Sequence, residues 1–135
     1  MDDDEDEREF SKSIVYGFFE QAESTFEKMD SAMYVSRSHS AQTLETQLTY
    51  LHSATKDLAT LSSLGHFLKG SSATLGLTKL KNICEKIQHL GHKMDETGTK
   101  EESPEYCLKA IQTELKDLKV DYVTVEKALR KFYGE

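Results

Sequence analysis

The spacing of apolar residues in the last quarter of the chain constrains the fold more than any other feature of the sequence. From Leu108 to Phe132 they recur at steps of 3, 4, 3, 4, 3, 4 and 3 residues. Such spacing places them on one face of an α-helix and is typical of a bundle seam. The positions are Leu108, Ile111, Leu115, Leu118, Tyr122, Val125, Leu129 and Phe132. Ser103 as N-cap, Pro104 at the first helical position and Glu105 in the first turn predict where this helix begins.

The first third of the chain carries a similar pattern. Apolar residues from Phe10 to Met33 predict an amphipathic helix of about six turns. Either Ile14 or Val15 occupies its buried face near the start. A polar loop is predicted over residues 36–40.

Leucines continue the pattern through the middle of the chain. Leu44, Leu48 and Leu51 predict a short additional helix, followed by a break over residues 53–55. The next helix carries Leu58, Leu61, Leu64, Leu68 and Leu75, and it ends at the C-cap Gly76.

A further helix follows, with Thr78 as its predicted N-cap. Its apolar face contains Leu80, Ile83, Cys84, Ile87, Leu90 and Met94. A polar turn over residues 95–103 then leads to the last helix.

Four principal helices with short polar links predict an all-α, up-down-up-down four-helix bundle. The short helix is inserted between the first helix and the one that ends at Gly76. The 135 residues suit one domain, so residues 1–135 are expected to form a single unit. No apolar run reaches the roughly 18 residues of a membrane span, and Met1 starts no signal peptide. We therefore expect a soluble intracellular protein without a membrane partner.

The charge of the chain is concentrated at its start. The net charge is −7, and residues 2–9 contribute −6 of it with seven acids and one base. A chain without a lysine or arginine stripe is a poor ligand for a phosphate backbone, which argues against nucleic acid as a partner. The acidic segment, residues 1–9, is either a solvated end or a negative rim that faces a basic partner.

Cysteines and histidines form no recognisable metal site. Cys84 and Cys107 are expected to be reduced thiols. His89 and His92 lie three residues apart on one helix, but no second ligand pair occurs on another helix. We expect no bound metal.

One histidine points away from the predicted core. His66 lies two residues from both Leu64 and Leu68, about 200° around the helix from each. Its predicted neighbours on the outer face are small or basic: Ser62, Ser63, Lys69, Gly70 and Ala73.

Gly70 is unexpected there, since a glycine inside a helix costs about 1 kcal/mol relative to alanine. Either it lets a neighbouring helix approach, or it clears space for another protein to reach His66, and its outward position favours clearance. A convex face offers no pocket for a general base. A nucleophile toward a phosphoryl group, with Lys69 offsetting the negative oxygens, makes chemical sense. An ordinary surface histidine is the alternative.

Residues 64–77, LGHFLKGSSATLGL, resemble the signature of histidine-containing phosphotransfer (HPt) domains. Its core is His-x-x-Lys-Gly, followed by a glycine at the helix end. Residues 84–91, CEKIQHLG, and the acidic opening of the chain are similar to fungal single-domain phosphorelay intermediates in particular. The resemblance covers most of residues 1–33 and 57–96.

The resemblance implies that His66 accepts a phosphoryl group from the receiver domain of a hybrid histidine kinase. It then passes the group to the receiver aspartate of a response regulator. Lys69 is implied to stabilise the phosphoryl group, Gly70 to give clearance, and Gln88 to be a polar neighbour. No cofactor of the chain's own is implied, since Mg²⁺ is supplied in the partner receiver domain.

Docking is expected on an apolar patch around His66, with Phe67 at its edge. Asp2, Asp3 and Asp4 are the predicted acidic rim. A stripe on the helix after Gly76 adds Glu85 and His92, although the family pattern has arginine or lysine at position 92. Residues 34–56 are longer than the family's usual link and are interpreted as an insertion.

The expected protein is a phosphocarrier without ATP-dependent kinase activity of its own, since the sequence has no phosphate-binding glycine loop. We expect a monomer in the cytoplasm and nucleus. The alternative function is a non-catalytic helical adaptor that docks receiver-like partners without accepting phosphate.

Overall fold

The computed structural model describes residues 2–38 and 44–135, which form four α-helices. Helix α1 spans Asp2–Ser38, α2 Leu44–Thr74, α3 Thr78–Gly91 and α4 Pro104–Phe132. Side chains are described for residues 5–33, 55 and 57–135. Within these ranges, no helix combines the length and apolar character needed to cross a membrane.

Successive contacts establish the helix directions. The start of α1 meets the end of α4 through Arg8 and Phe132, and Asp30 pairs with Lys119 at 2.7 Å, so the two helices are antiparallel. Lys79, early in α3, pairs with Asp121 late in α4, and Met94, just after α3, contacts Cys107 early in α4, so these two helices are also antiparallel. Leu58 lies beside Gly91, and Gly65, later in α2, lies beside Cys84, earlier in α3, so α2 and α3 are antiparallel as well. The predicted up-down-up-down four-helix bundle is confirmed.

The predicted apolar stripes form the core. The most buried side chains of the four helices include Phe19, Met29, Leu58, Leu61, Leu68, Leu80, Ile87, Leu90, Ile111 and Leu118. Of the two alternatives near the start of α1, Val15 is buried, whereas Ile14 is 43% exposed. Tyr122 packs edge to face on Phe19 and Phe26, which ties α4 to α1.

The ends of two stripes depart from the prediction. Phe10 is 70% exposed and Phe132 63% exposed, because both lie beyond the part of the bundle that other helices surround. Helix α1 begins at Asp2 rather than Phe10. Its opening acids favour this extension, since carboxylates stabilise a helix N-terminus.

The segment between the first two principal helices also differs. Residues 36–38 are helical, so the predicted loop is wrong there, and residues 39–43 lie outside the described residues. Helix α2 is continuous from Leu44, so the separate short helix and the break over residues 53–55 are wrong. Leu51 and Leu58 are seven residues apart, two turns on one face, and the residues between them are compatible with a helix.

The predicted insertion, residues 34–56, therefore spans the end of α1 and the start of α2. Apart from Thr55, its side chains lie outside the described residues. Its purpose stays an open prediction.

Glycine ends α2 as predicted. Gly76 has a φ of +72°, and the amide of Leu77 donates to the carbonyl of Ser72 at 2.9 Å, as in a Schellman C-cap. Thr78 is the first residue of α3 and not its N-cap, which is Leu77.

The other junction joins α3 to α4. Helix α3 ends at Gly91, so Met94 lies beyond it in an isolated bridge with Glu101. The N-cap at Ser103 is confirmed, because its Oγ accepts a hydrogen bond from the amide of Tyr106 at 3.2 Å.

Candidate functional site

His66 lies on the outer side of α2, beside α3. Its side chain is exposed, whereas Leu68 is 1% exposed and Leu64 is half-buried. Two residues along a helix correspond to about 200° of rotation, so the leucines face the core and the imidazole faces solvent. The predicted orientation of His66 is confirmed.

Gln88 of α3 is the immediate neighbour of the imidazole. Its Nε2 lies 3.3 Å from Nδ1 of His66. The hydroxyl of Ser62 donates to the backbone carbonyl of Gln88 at 3.0 Å, which ties this turn of α3 to α2. Ser62 is 3% exposed, so its predicted place on the outer face is wrong; it lies at the α2–α3 interface.

Two glycines that sequence reasoning did not single out hold α2 and α3 close together. A Cβ at Gly91 would lie 2.6 Å from the carbonyl oxygen of Leu58, and one at Gly65 would lie 3.0 Å from that of Cys84. Only glycine allows such backbone approach without a shift. The available signal was a glycine inside a predicted helix, the same signal that drew attention to Gly70.

Gly70 behaves differently. It is exposed, and a Cβ there would lie within 4 Å of no atom of the described residues outside its own helical turns. None of the helices over the described residues comes close enough to be the reason for this glycine. Clearance for a molecule outside the chain is the alternative that fits.

Lys69 lies one turn after His66 and is engaged with α3. Its Nζ is 3.5 Å from Oε1 of Glu85, and the two side chains are 30% and 41% exposed. An ion pair this exposed contributes at most about 1 kcal/mol. Glu85, predicted for the docking rim, is thus the partner of Lys69.

His92 is the C-cap residue of α3 and is exposed. It lines one shallow depression together with Ser62, Ser63, His66 and Gln88. The structure therefore brings two of the predicted rim and neighbour positions, Gln88 and His92, to the same hollow as the imidazole.

Apolar surface continues from His66 toward α1. Phe67 is 49% exposed, and Ser71 and Thr74 follow it on the same face of α2. They lead into the α1–α2 groove, which is lined by Ser13, Ile14, Gly17, Phe18, Gln21, Ser71, Thr74 and Leu75. The sequence pattern placed Ile14 only as a possible core residue. That it is exposed instead could be seen only from the way the helices pack.

Other predicted positions lie apart from this surface or outside the described side chains. Asp2, Asp3 and Asp4 belong to the first turn of α1, but nothing is described of their side chains. Nδ1 of His89 contacts the carbonyl of Glu96 at 3.0 Å in the α3–α4 loop.

Among the described side chains, the cysteines and acidic residues are not grouped as metal ligands. In the described part of the chain, no three histidine, cysteine, aspartate or glutamate side chains are grouped to hold a metal ion. Cys84 and Cys107 are free and buried. Burial raises the pKa of Cys84 to about 12 and that of Cys107 to about 11, which leaves both as unreactive thiols at neutral pH.

Comparison with known proteins finds a match to the family model described as Hpt domain over residues 14–121. Multistep phosphorelay regulator 1 of Schizosaccharomyces pombe is 42% identical over 132 residues, covering 97% of this chain and 38% of that protein. The Phosphorelay intermediate protein YPD1 of Candida albicans is 48% identical over 92 residues, and that of Saccharomyces cerevisiae 40% identical over 92 residues. Each alignment covers 68% of this chain, and 39% and 44% of those proteins respectively. The chain thus spans less than half the length of these relatives.

Proposed function

This chain belongs to the Hpt domain family, and we propose that it is a phosphorelay intermediate that carries a phosphoryl group on His66. The donor is the aspartyl phosphate of a hybrid histidine kinase receiver domain. The acceptor is the receiver aspartate of a response regulator. The observation that carries the proposal is an exposed imidazole whose Nδ1 faces Gln88 on a tightly packed pair of helices.

Gln88 can set the tautomer of the imidazole. The oxygen and nitrogen of its amide exchange places on a 180° rotation. As placed, Oε1 is buried and has no hydrogen-bond partner among the described residues. In the rotated amide, Oε1 faces Nδ1 and accepts a hydrogen bond from its N–H, which keeps the proton on Nδ1 and leaves the lone pair of the His66 Nε2 free to attack.

The transfer step then balances within the two proteins. Nε2 of His66 forms the N–P bond while the bond between phosphorus and the donor carboxylate breaks, and the aspartate leaves as a carboxylate. The Nδ1 proton stays on the ring, where Gln88 accepts its hydrogen bond and stabilises the positive charge. Transfer to the second receiver reverses these bond changes.

Lys69 and Gly70 complete the site. The ammonium of Lys69 offsets the charge of the phosphoryl oxygens once it turns away from Glu85. Breaking the ion pair with Glu85 costs little free energy, because both side chains are partly exposed. At Gly70 the missing side chain lets the receiver backbone approach the imidazole.

The docking surface combines Phe67 with the α1–α2 groove, and Asp2, Asp3 and Asp4 form a negative rim. A modest, mostly apolar interface with a charged edge suits a partner that must bind, react and leave. We propose further that the protein is a monomer of cytoplasm and nucleus. It has no cofactor of its own, since the receiver domain supplies Mg²⁺ for the transfer.

Incubation with a phosphorylated receiver domain tests the function. Acid-labile, alkali-stable label should appear on the wild type, vanish in His66→Gln, and persist in His89→Gln, a matched control outside the site. Label that persists in His66→Gln would show that the acceptor is another residue. Receiver binding without label on the wild type would support the adaptor function instead.

A further inference from the structure

The described side chains of the first turns of α1 pack into no core. Residues 5–14 are exposed apart from the half-buried Lys12, and from residue 5 onward the first buried side chain is that of Val15. Helix α2 ends at Thr74, level with residues 13–21 of α1, so the earlier turns project past it. A helix of about 12 residues is marginal in water without tertiary contacts. Contacts with another part of the chain are therefore needed to stabilise these turns as a helix.

The end of α4 supplies that support. Nη2 of Arg8 donates to the backbone carbonyl of Phe132 at 2.7 Å. Its guanidinium carbon lies 5.1 Å from the ring centre of Phe132 and 5.4 Å from that of Tyr133. The last carbonyls of a helix lack intrahelical donors and carry partial negative charge, so a cation is favoured there.

Further contacts continue the same seam toward the core. The hydroxyl of Ser11 contacts that of Tyr133, and the Tyr16 ring meets the Tyr133 ring edge to face at 6.2 Å. The guanidinium of Arg130 lies over Tyr16 at 5.0 Å and forms ion pairs with Glu126 and Glu135. We call Arg130, Phe132, Tyr133 and Glu135 the C-terminal clasp.

The residues of α1 that contact the clasp differ from those that line the docking surface, and the two sets face different neighbouring helices. Arg8, Ser11 and Tyr16 face α4, whereas Ile14 and Gly17 line the α1–α2 groove. At 100° per residue, Arg8 and Gly17 lie about 180° apart around α1 and Tyr16 and Ile14 about 160° apart, whereas Ser11 and Ile14 are separated by about 60°.

We propose that the C-terminal clasp positions the docking face of α1 for receiver domains, with Arg8 as the positioning residue. This inference rests on the proposed function. It also explains the one base in the acidic segment, because a carboxylate at position 8 would be repelled by the carbonyls that end α4.

The test measures phosphotransfer from a fungal receiver domain charged with acetyl phosphate, using full-length variants. Arg8→Gln and Tyr133→Leu each break the clasp from one side. Lys116→Gln removes the same charge from an exposed site of α4 outside the clasp. Hydrogen exchange at residues 5–12 reports directly on the opening of the first turns of α1.

We expect Arg8→Gln and Tyr133→Leu to raise KM about five- to tenfold, the loss expected for one charge-assisted hydrogen bond with its ring contacts. The maximal rate and the hydrolysis rate of phosphorylated His66 should equal those of the wild type. Hydrogen exchange at residues 5–12 should accelerate by a similar factor. The double variant should be no worse than the worse single variant, because both act through one clasp.

Several results would overturn the clasp. One is a KM for Arg8→Gln equal to that of Lys116→Gln. Another is a raised KM in Arg8→Gln with none in Tyr133→Leu, which would mean that Arg8 touches the receiver directly. If the wild type accepts no phosphoryl group, the proposed function fails, and the exchange rates of residues 5–12 still decide whether the clasp exists.

Discussion

The proposed transfer site on α2 and α3 and the proposed docking face of α1 are built in opposite ways. Around His66, α2 and α3 approach so closely that a Cβ at position 91 would collide with backbone, and one at position 65 would press against it. Helix α1, by contrast, has an exposed stretch over residues 5–14, apart from the half-buried Lys12, just before and at the edge of the proposed docking groove, and the contact of Arg8 with the end of α4 holds that stretch. The imidazole proposed to react is thus carried by a closely packed pair of helices, and the proposed recognition surface lies next to an exposed segment of α1.

The difference follows from what each part must do. Phosphoryl transfer depends on the alignment of the reacting atoms, so the imidazole gains from a rigid support. If the proposed function holds, a surface that serves two receiver domains must bind each with modest affinity and release it. An exposed helix face that is positioned through contacts with α4 meets that requirement without disturbing the α2–α3 site.

The largest effect should come from filling the close contact between α2 and α3. Gly91→Ala should lower the free energy of unfolding by about 1–3 kcal/mol, because the new Cβ meets backbone that cannot move aside. Gly70→Ala, the matched control, should raise it by about 0.5–1 kcal/mol, as alanine does inside a helix. Urea unfolding of both variants measures this. Equal changes in the free energy of unfolding would show that the two glycines have the same surroundings, which would contradict the difference drawn between them.

Gly70→Gln should separate stability from function. Helix propensity should make the variant more stable by several tenths of a kcal/mol. Transfer should slow by about ten- to a hundredfold, since a side chain would displace the receiver from the imidazole. Single-turnover transfer, together with urea unfolding, tests both parts. A variant that is stable and fully active would show that position 70 gives no clearance.

The Lys69–Glu85 pair tests the electrostatics of the site. Lys69→Ala should shorten the lifetime of phosphorylated His66 a few-fold, about 0.5–1 kcal/mol, and Glu85→Gln should lengthen it by freeing the ammonium. Neither should change the free energy of unfolding by more than about 0.5 kcal/mol, because both side chains are substantially exposed. Hydrolysis rates of the purified phosphoproteins decide the matter. The two substitutions must change the lifetime of phosphorylated His66 in opposite directions. A change in the same direction would contradict the role assigned to Lys69.

The smallest effect should come from the acidic rim. Replacing Asp2, Asp3 and Asp4 together by asparagine should slow association by less than about tenfold and flatten its dependence on salt. The chemical step at His66 should be unchanged. Single-turnover transfer at two ionic strengths compares the variant with the wild type. An identical salt dependence would make the acidic segment a solvated end.

Local chemistry made much of the fold predictable. The bundle stripes repeat every three or four residues, and Ser103 and Gly76 mark helix ends through hydrogen bonds with near neighbours in the chain. The outward direction of His66 follows from its phase against Leu64 and Leu68. These features depend on a few consecutive residues, so the sequence by itself determined them.

Other features depend on residues that are distant in sequence. Helical phase places Gly70 outward, but no local pattern shows that the backbone of α2 comes within 2.6 Å of the Cβ position of Gly91. The exposure of Phe10 and Phe132 and the pairing of Lys69 with Glu85 were likewise decided by the tertiary structure. So was the contact of Arg8 with the end of α4. The physical reason is that helical phase is set within a few turns, whereas burial and charge pairing depend on which other helix lies at the same level of the bundle.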